Sequence, residues 1–370
     1  MNTPEFQIEW MTPRNERIAY LSDVGPFRYT KALNADGDFE IALPPSIPLR
    51  DLAKDQLVRI SRRAPGGVLA VDFAGIIRDW SSAQTPSGFA RTVAGPGMGW
   101  VLSGRVVAYP AGNAQASQTD QADDMMRAIV RYNLGSSATT GNGRQATASI
   151  SSALFGVQAD VGLGPSLSLG FSYNNVADVL RKISNAARSA GTPVYWEMVP
   201  VGSAFEFRVN VGQLGQDLTS GQNALTFGPE FGNFVNGRLT FVSRDECNYA
   251  YALGQGQEDA RNVQVSEDTA RSQASTWSLR EAAVEDTQLT TDAALIDRAD
   301  AETMAGRPLW MLDGDLVSTE DTQYQRDWGL GDLVNVTFDG IQSTALVRAV
   351  TVSVDGIGNE TVTGAIEVIQ

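Results

Sequence analysis

The run VAGPGMGWVLSGRVV, residues 93–107, places Gly95, Gly97, Gly99 and Gly104 close together. Glycine-rich turns that open a helix cradle phosphates, because backbone N–H groups point at the anion and the helix dipole favours negative charge. The spacing fails that chemistry. A dinucleotide fingerprint needs GxGxxG after a strand with a long helix behind it, whereas Gly95-x-Gly97-x-Gly99 leads through Val101 and Leu102 into SGRVV. A P-loop needs Gly-Lys-Ser/Thr, and none of Lys31, Lys54 and Lys182, the only lysines, follows a glycine. The run is expected to be a strand end and a tight turn, its glycines sitting where backbones approach closely.

Carboxylates come next. Asp245-Glu246, Glu258-Asp259, Glu267-Asp268, Glu285-Asp286 and Glu320-Asp321 are adjacent acidic pairs. A glycosidase needs two carboxylates about 5 to 10 Å apart in space, and adjacency in sequence does not supply that. In a chain with 43 Asp+Glu the pairs read as solvated faces. Asp313-Gly314-Asp315 has the residue types of a calcium loop but neither its spacing nor its terminal glutamate. Asn335-Val336-Thr337 and Asn359-Glu360-Thr361 match the glycosylation acceptor pattern, yet the opening MNTPEFQIEW lacks the basic start and apolar run of a signal peptide.

Cys247 is the only cysteine, so no intramolecular disulfide is possible, and Asp245 and Glu246 beside it disfavour a thiolate. Histidine is absent altogether, which removes Ser-His-Asp and Cys-His nucleophiles, HExxH zinc sites and histidine-held haem. Met125 and Met126 belong to an apolar helical face and read as core. Trp80, Trp100, Trp196, Trp277, Trp310 and Trp328 are scattered, without the basic interleaving of a nucleic-acid platform. No catalytic, cofactor-binding or metal-binding residue is nominated, and no enzyme activity is expected.

The elements around these residues are mostly strands. In PFRYTKAL, Phe27, Tyr29 and Leu33 alternate with polar neighbours; DFEIAL places Phe39, Ile41 and Leu43 on one face, and LVRIS does the same with Val58 and Ile60. Asp36-Gly37 and the APGG of residues 64–67 read as turns. VLAVDFAGIIRDW reads as one long strand with a bulge at Gly75. After Pro110 the period changes: TDQADDMMRAIVRYN predicts a helix capped by Thr119, with Ala122, Met125, Met126, Ile129 and Val130 inward. Residues 135–152 read as a flexible loop. A second helix is predicted over 175–190, with Val176, Val179, Leu180 and Ile183 inward and Gly191 as its stop, then a hairpin from PVYWEMVPV and AFEFRVNV. Strands return in RLTFVS, NYAYALG and RNVQVS, a helix over 290–306 is capped by Thr291, and LVNVTF, TALVRAVTVSV and GAIEVI follow, the last two joined through Asp355-Gly356.

The net charge of −15 argues against a surface that grips phosphate backbones, where affinity comes from clustered cations. No segment approaches the roughly 20 apolar residues that cross a bilayer.

Several of these segments together resemble siphophage tail-tip (baseplate) hub proteins. DFEIALPPSIPLRDLAKDQLVRI, FAGIIRDW and RTVAGPGMGWVLSGRVV are similar to their N-terminal part. TDQADDMMRAIVRYNLG and VADVLRKISNAARSAGTPVYWEM resemble the segments that follow, and NYAYALGQGQEDAR a later strand. QYQRDWGLGDLVNVTFDGIQSTALVRAVTVSVDG is similar to the C-terminal module, and its stretch from Tyr324 to Val334 is the most specific match.

The resemblance implies an α+β, mainly β fold that is shared with the baseplate hubs of contractile phages and the base of type VI secretion spikes. A tube-like β-barrel is expected at 1–110, an α/β insert at 111–220, and a second barrel at 221–370 interrupted by a strand/helix insert at about 245–310. It implies a homotrimer in the virion tail tip that adapts a hexameric tail tube to a threefold tip and forms part of the DNA channel. The partners implied are the distal tail protein, the tape measure protein and tip or fibre proteins, with no sequence-specific nucleic-acid binding and no membrane insertion. Because the sequence given ends directly after its barrel, wall-cutting is expected to lie on a partner. Two readings of other classes stand beside this one: a carboxylate-dependent cell-wall hydrolase, and a host-glycan-binding module.

Overall fold

In the computed structural model of the chain, residues 5–21, 24–44, 46–64, 66–86, 88–113, 115–145, 147–256, 258–287, 289 and 291–369 are described. Their contacts divide into two units, Met1–Gly237 with Gly314–Gln370, and Arg238–Asp313.

The first unit opens with strands set by the period of two: β1 (Glu5–Met11), β2 (Arg17–Leu21), β3 (Phe27–Ala32), β4 (Asp38–Leu43), β5 (Leu57–Arg63), β6 (Leu69–Ile76), β7 (Asp79–Thr85) and β8 (Gly88–Pro96). Phe39, Ile41 and Leu43 of β4 are buried as the alternation requires. The turn before β4 takes positive φ at Asn34 and Gly37, the conformation that favours Gly and Asn. The expected long strand VLAVDFAGIIRDW is two strands, because the chain changes sheets at Ile77 and Arg78. The Ile77 N–H bonds to Gln56, beside the sheet β2-β1-β5-β6, and the Arg78 N–H to Ala94 in β8. The bulge is not at Gly75, which pairs regularly with Val58; it is at Asp72, left unpaired between Ile60 opposite Phe73 and Ser61 opposite Val71.

The α/β part follows: α1 (Trp100–Ser103), β9 (Ala116–Gln121), α2 (Ala122–Asn133), β10 (Phe155–Val157), β11 (Ser166–Phe171), α3 (Val176–Ser189), β12 (Val194–Val201) and β13 (Ala204–Val211). Thr119 does not cap α2. Residues 116–121 stay extended because they pair antiparallel with β11, and the helix begins after Gln121. Asn175 does cap α3, accepting from the N–H groups of Ala177 and Asp178. Met125, Met126, Ile129 and Val130 of α2 pack with Val179, Leu180 and Ile183 of α3 over Trp196 and Phe207 of the β12/β13 hairpin. The tract expected as a flexible loop is tied down: Ala138 and Ala148 are buried, and the Ile150 N–H bonds to the Leu134 carbonyl at 2.8 Å.

The remaining elements are β14 (Thr226–Phe227), β15 (Phe234–Val242), β16 (Tyr249–Leu253), β17 (Val263–Glu267), α4 (Thr269–Ser272), β18 (Glu281–Glu285), α5 (Asp292–Ala305), β19 (Leu309–Val317), β20 (Leu333–Phe338), β21 (Ile341–Val354) and β22 (Glu360–Ile369). β21 and β22 pair through the Asp355-Gly356 turn, and β21 also pairs with β3, so the two ends of the sequence share one sheet, β15-β19-β22-β21-β3-β4-β8-β7, with β20 and β14 branching from β21. The second unit is built on the sheet β17-β16-β18 with α5 on one face; Leu295 and Ala299 of α5 pack on Cys247, Ala250 and Ala252. Thr291 caps α5, accepting from the Ala294 N–H, while Thr290, the first residue of that predicted segment, is outside the described residues. The fold is mainly β in several sheets, and among the described residues no hydrogen-bonded sheet closes into a barrel. Nor is any described helix long and apolar enough to cross a membrane.

Candidate functional site

A bulge re-aims a side chain, and that of Asp72 reaches from the sheet β2-β1-β5-β6 to β3 of the large sheet. Its Oδ2 accepts from the Tyr29 hydroxyl at 2.6 Å, and its Oδ1 from Lys31 Nζ and Gln325 Nε2, each at 2.8 Å. Gln325 Oε1 accepts from Arg62 Nη1 at 2.8 Å. Arg62 also forks onto Glu360 and lies 5.1 Å from the centre of the Tyr324 ring. Arg62, Tyr29 and Tyr324 are buried. The cluster draws on β3, β5, β6, β22 and the segment before β20.

Burial is the main cause that raises the Tyr29 phenol, reinforced by the Asp72 charge; burial likewise pushes the Tyr324 phenol up to about 12, against the pull of Lys31. Burial alone would lower Lys31, but Tyr324 and Asp72 outweigh it and hold its ammonium above the ordinary value. Burial also opposes the Arg62 charge, and the Glu360 hydrogen bonds overcome it. Two cations therefore face two carboxylates beside phenols that stay protonated. Such an arrangement fastens sheets together; it presents no activated nucleophile or base.

The glycine run closes the same interface at another point. A Cβ on Gly95 would stand 1.9 Å from the Ile76 carbonyl oxygen, and one on Gly97 2.1 Å from that of Asp36. Gly97 bridges Gly75 of β6. Only glycine allows β8 to cross β6 this closely. The helix behind it, α1, has a single turn, and the Asp36 carboxylate, whose pKa burial raises, accepts from Ser103 there at 3.0 Å. The run is the end of β8 and a tight turn with close backbone approach, as expected.

Four members of the acidic pairs are spent on local structure. Glu246 and Asp268 both pair with Arg271, and Asp268 caps α4; Glu267 accepts from Ser272, and Glu285 pairs with Arg261. Glu320 and Asp321 are exposed. The side chains of Asp259 and Asp313 are outside the described residues, while Asp315 accepts from Asn236 at 2.9 Å. Asn335 donates to the Thr219 carbonyl from within β20, and Asn359 to Asp355 in the β21–β22 turn. Burial raises the Cys247 thiol. Among the described residues no three of His, Cys, Asp and Glu gather as metal ligands.

Residue patterns overlooked the network's members, although signals exist. Arg62 continues the inward face of Val58 and Ile60, Asp72 interrupts an apolar strand, and Lys31 is one of three lysines. Asp123 and Arg127, four apart on α2, are both fully buried, with Arg127 Nη1 donating to Asp123 Oδ2 at 2.7 Å and Nη2 to the Val209 carbonyl at 3.1 Å. In the stretch from Tyr324 to Val334, Tyr324 stacks under Arg62, Trp328 Nε1 donates to the Thr322 carbonyl, and Asp332 accepts from the N–H groups of Gln216 and Gly329, both at 2.6 Å. The most specific motif of the sequence thus supports the junction and shapes the turn before β20.

The family model described as Siphovirus ReqiPepy6 Gp37-like protein matches residues 10–364, a span that takes in Arg62, Asp72, Gly95 and Glu360. The chain belongs to this family. No curated protein sequence matches this Gp37-like chain. Solved structures do. The 43 kDa tail protein of prophage MuSo2 from Shewanella oneidensis is 13% identical, with 98% of each chain covered and a TM-score of 0.63. A tail protein from Neisseria meningitidis MC58 is 14% identical, covering 98% of this chain and 96% of that one at a TM-score of 0.57. Prophage tail protein gp18 from Listeria monocytogenes EGD-e is 12% identical over 97% and 94%, at a TM-score of 0.52. At such identities the likeness is one of fold: the Gp37-like chain folds as these tail proteins do.

Proposed function

We propose that this chain is a structural virion protein, the hub at the distal end of a long phage tail. Three copies would adapt a hexameric tail tube to a threefold tip and enclose part of the DNA channel. The observation that carries this is the extent of the likeness: the family match runs from residue 10 to 364, and the fold of the MuSo2 tail protein is followed over 98% of both chains. The buried junction is consistent with a part that bears load, since it ties sheet to sheet by charge-assisted hydrogen bonds.

In this reading the four-stranded sheet and the larger sheet are the bases of the two tube-like modules, which neighbouring copies complete. The hub meets the distal tail protein, the tape measure protein and tip or fibre proteins, and any wall-cutting activity belongs to one of them. The net charge of −15 favours an acidic lumen that lets DNA pass, because like charges repel phosphate.

Native mass spectrometry of the purified chain tests the assembly: a stable trimer is expected, and a monomer at high concentration overturns it. A trimer whose channel is lined with arginine overturns the acidic lumen. Sustained peptidoglycan hydrolysis, lost on a single Asp or Glu substitution, overturns the structural reading in favour of the hydrolase.

A further inference from the structure

Strand β17 is turned the opposite way from what burial asks of a strand under a helix. Its polar residue Ser266 is on the side of α5, bonded to Asp300 and Thr303, and Gln264 shares that side by the alternation of the strand. Its valines face away, Val263 42% and Val265 45% exposed. The neighbouring strands continue this outer face. In β16, Ala250 and Ala252 pack against α5, so Tyr249, Tyr251 and Leu253 point outward; in β18, Ala282 and Val284 point inward and Glu281, Ala283 and Glu285 outward.

The strand registers arrange these residues as a grid. Tyr251 stands between Val265 and Ala283, Leu253 between Val263 and Glu285, and Tyr249 between Glu267 and Glu281. The rings of Tyr249 and Tyr251 are 5.0 Å apart, and the Tyr251 hydroxyl donates to Glu281 at 2.8 Å. A one-sided antiparallel or mixed sheet normally turns its polar positions to water. Here apolar and aromatic side chains fill the middle of the water-facing side, and carboxylates stand at three of its four corners, with Val263 at the fourth.

We propose that this outer face of β17-β16-β18 is a docking surface for a cationic amphipathic helix of another protein. Three strands spaced about 4.8 Å apart span roughly 10 Å, the diameter of one helix. A helix laid there covers Val263, Val265, Tyr251 and Leu253 with its apolar seam. Its flanking lysines or arginines meet Glu267 and Glu281, while Glu285 is already paired with Arg261. A second copy of the same face is disfavoured, because the unit holds 7 arginines and no lysine against 14 Asp and Glu, so like charges would meet. This inference stands apart from the trimeric hub reading and does not require it.

The test uses the full chain and a synthetic amphipathic helical peptide of leucine and lysine, followed by fluorescence anisotropy. V265K, at an exposed position, is expected to weaken binding at least about tenfold, with native mass and thermal midpoint as in the parent chain. A control carrying E320K and D321K makes a larger charge change on the first unit and is expected to stay within about twofold. Equal weakening by both, or none by V265K, overturns the proposal. Concentration-dependent self-association abolished by V265K overturns it in favour of a second copy. Oligosaccharide binding lost on Tyr251→Ala, without peptide binding, overturns it in favour of a glycan. A change of native mass in the parent chain bears on the hub reading alone.

Discussion

Arg62 and Glu360, 298 positions apart, are joined by two parallel hydrogen bonds, Nε to Oε1 at 2.5 Å and Nη2 to Oε2 at 2.9 Å. Both side chains are almost fully withdrawn from water. The pair ties the four-stranded sheet to the large sheet that holds the C-terminal strand. Bidentate geometry fixes both distance and orientation, which a single lysine contact would not.

Removing one partner strands the other charge. Arg62→Ala is expected to destabilise the first unit by about 3–5 kcal/mol, because Glu360 and Gln325 lose their donor. Replacing both residues, Arg62→Met with Glu360→Leu, is expected to recover most of that loss, since no buried charge is left unpaired. Urea unfolding at neutral pH with an unchanged m-value checks both, and a double variant no better than the single one contradicts the account.

The glycine run makes a steric prediction. Gly95→Ala forces a methyl into the backbone of Ile76, which neither strand can yield without moving, and is expected to cost about 1–3 kcal/mol or more. Gly156, in β10, has nothing within 4 Å of an added Cβ, and Gly156→Ala is expected to change stability by less than about 0.5 kcal/mol. Paired thermal or urea unfolding of the two variants separates close approach from a general dislike of side chains at glycine.

Much of this was legible beforehand because it is local. The period of two in DFEIAL, the helical face of Met125, Met126, Ile129 and Val130, and the Thr291 cap depend on neighbours in sequence, and the structure places them as expected. What was misread depends on distant partners. Thr119 is extended because β11, nearly fifty residues on, pairs with it; its hydroxyl meets Ser168 at 2.8 Å. The bulge is at Asp72 and not Gly75 because the β5 register and the waiting groups of Tyr29, Lys31 and Gln325 decide it. No periodicity within β6 carries that information.

Cys247 gives a kinetic prediction. Its side chain is buried among Ala250, Ala252, Leu295 and Ala299, and burial raises its thiol. At mildly alkaline pH a thiol-specific aromatic disulfide reagent is expected to react at least about tenfold more slowly with the native chain than with the chain in denaturant. Equal rates would mean that the second unit opens freely at α5.

A pH dependence is expected from Asp123. Burial by itself would raise its carboxyl, but the hydrogen bond from Arg127 and those from the N–H groups of Gly164 and Leu163 outweigh burial and hold it below the ordinary carboxylate value. A carboxyl lowered in the folded state stabilises the fold above its unfolded pKa of about 3.9, and that contribution is lost as pH falls through the folded value. Stability of the first unit should therefore decline on acidification below about pH 4. Asp123→Asn cannot titrate and leaves Arg127 with Asp124 as its only carboxylate partner. The variant should be less stable than the parent at pH 7, and its urea midpoint should fall less steeply toward acid, so that the two curves converge at low pH. Parallel curves across the acid range would show that Asp123 carries none of this dependence, and would place it on other carboxylates of the unit.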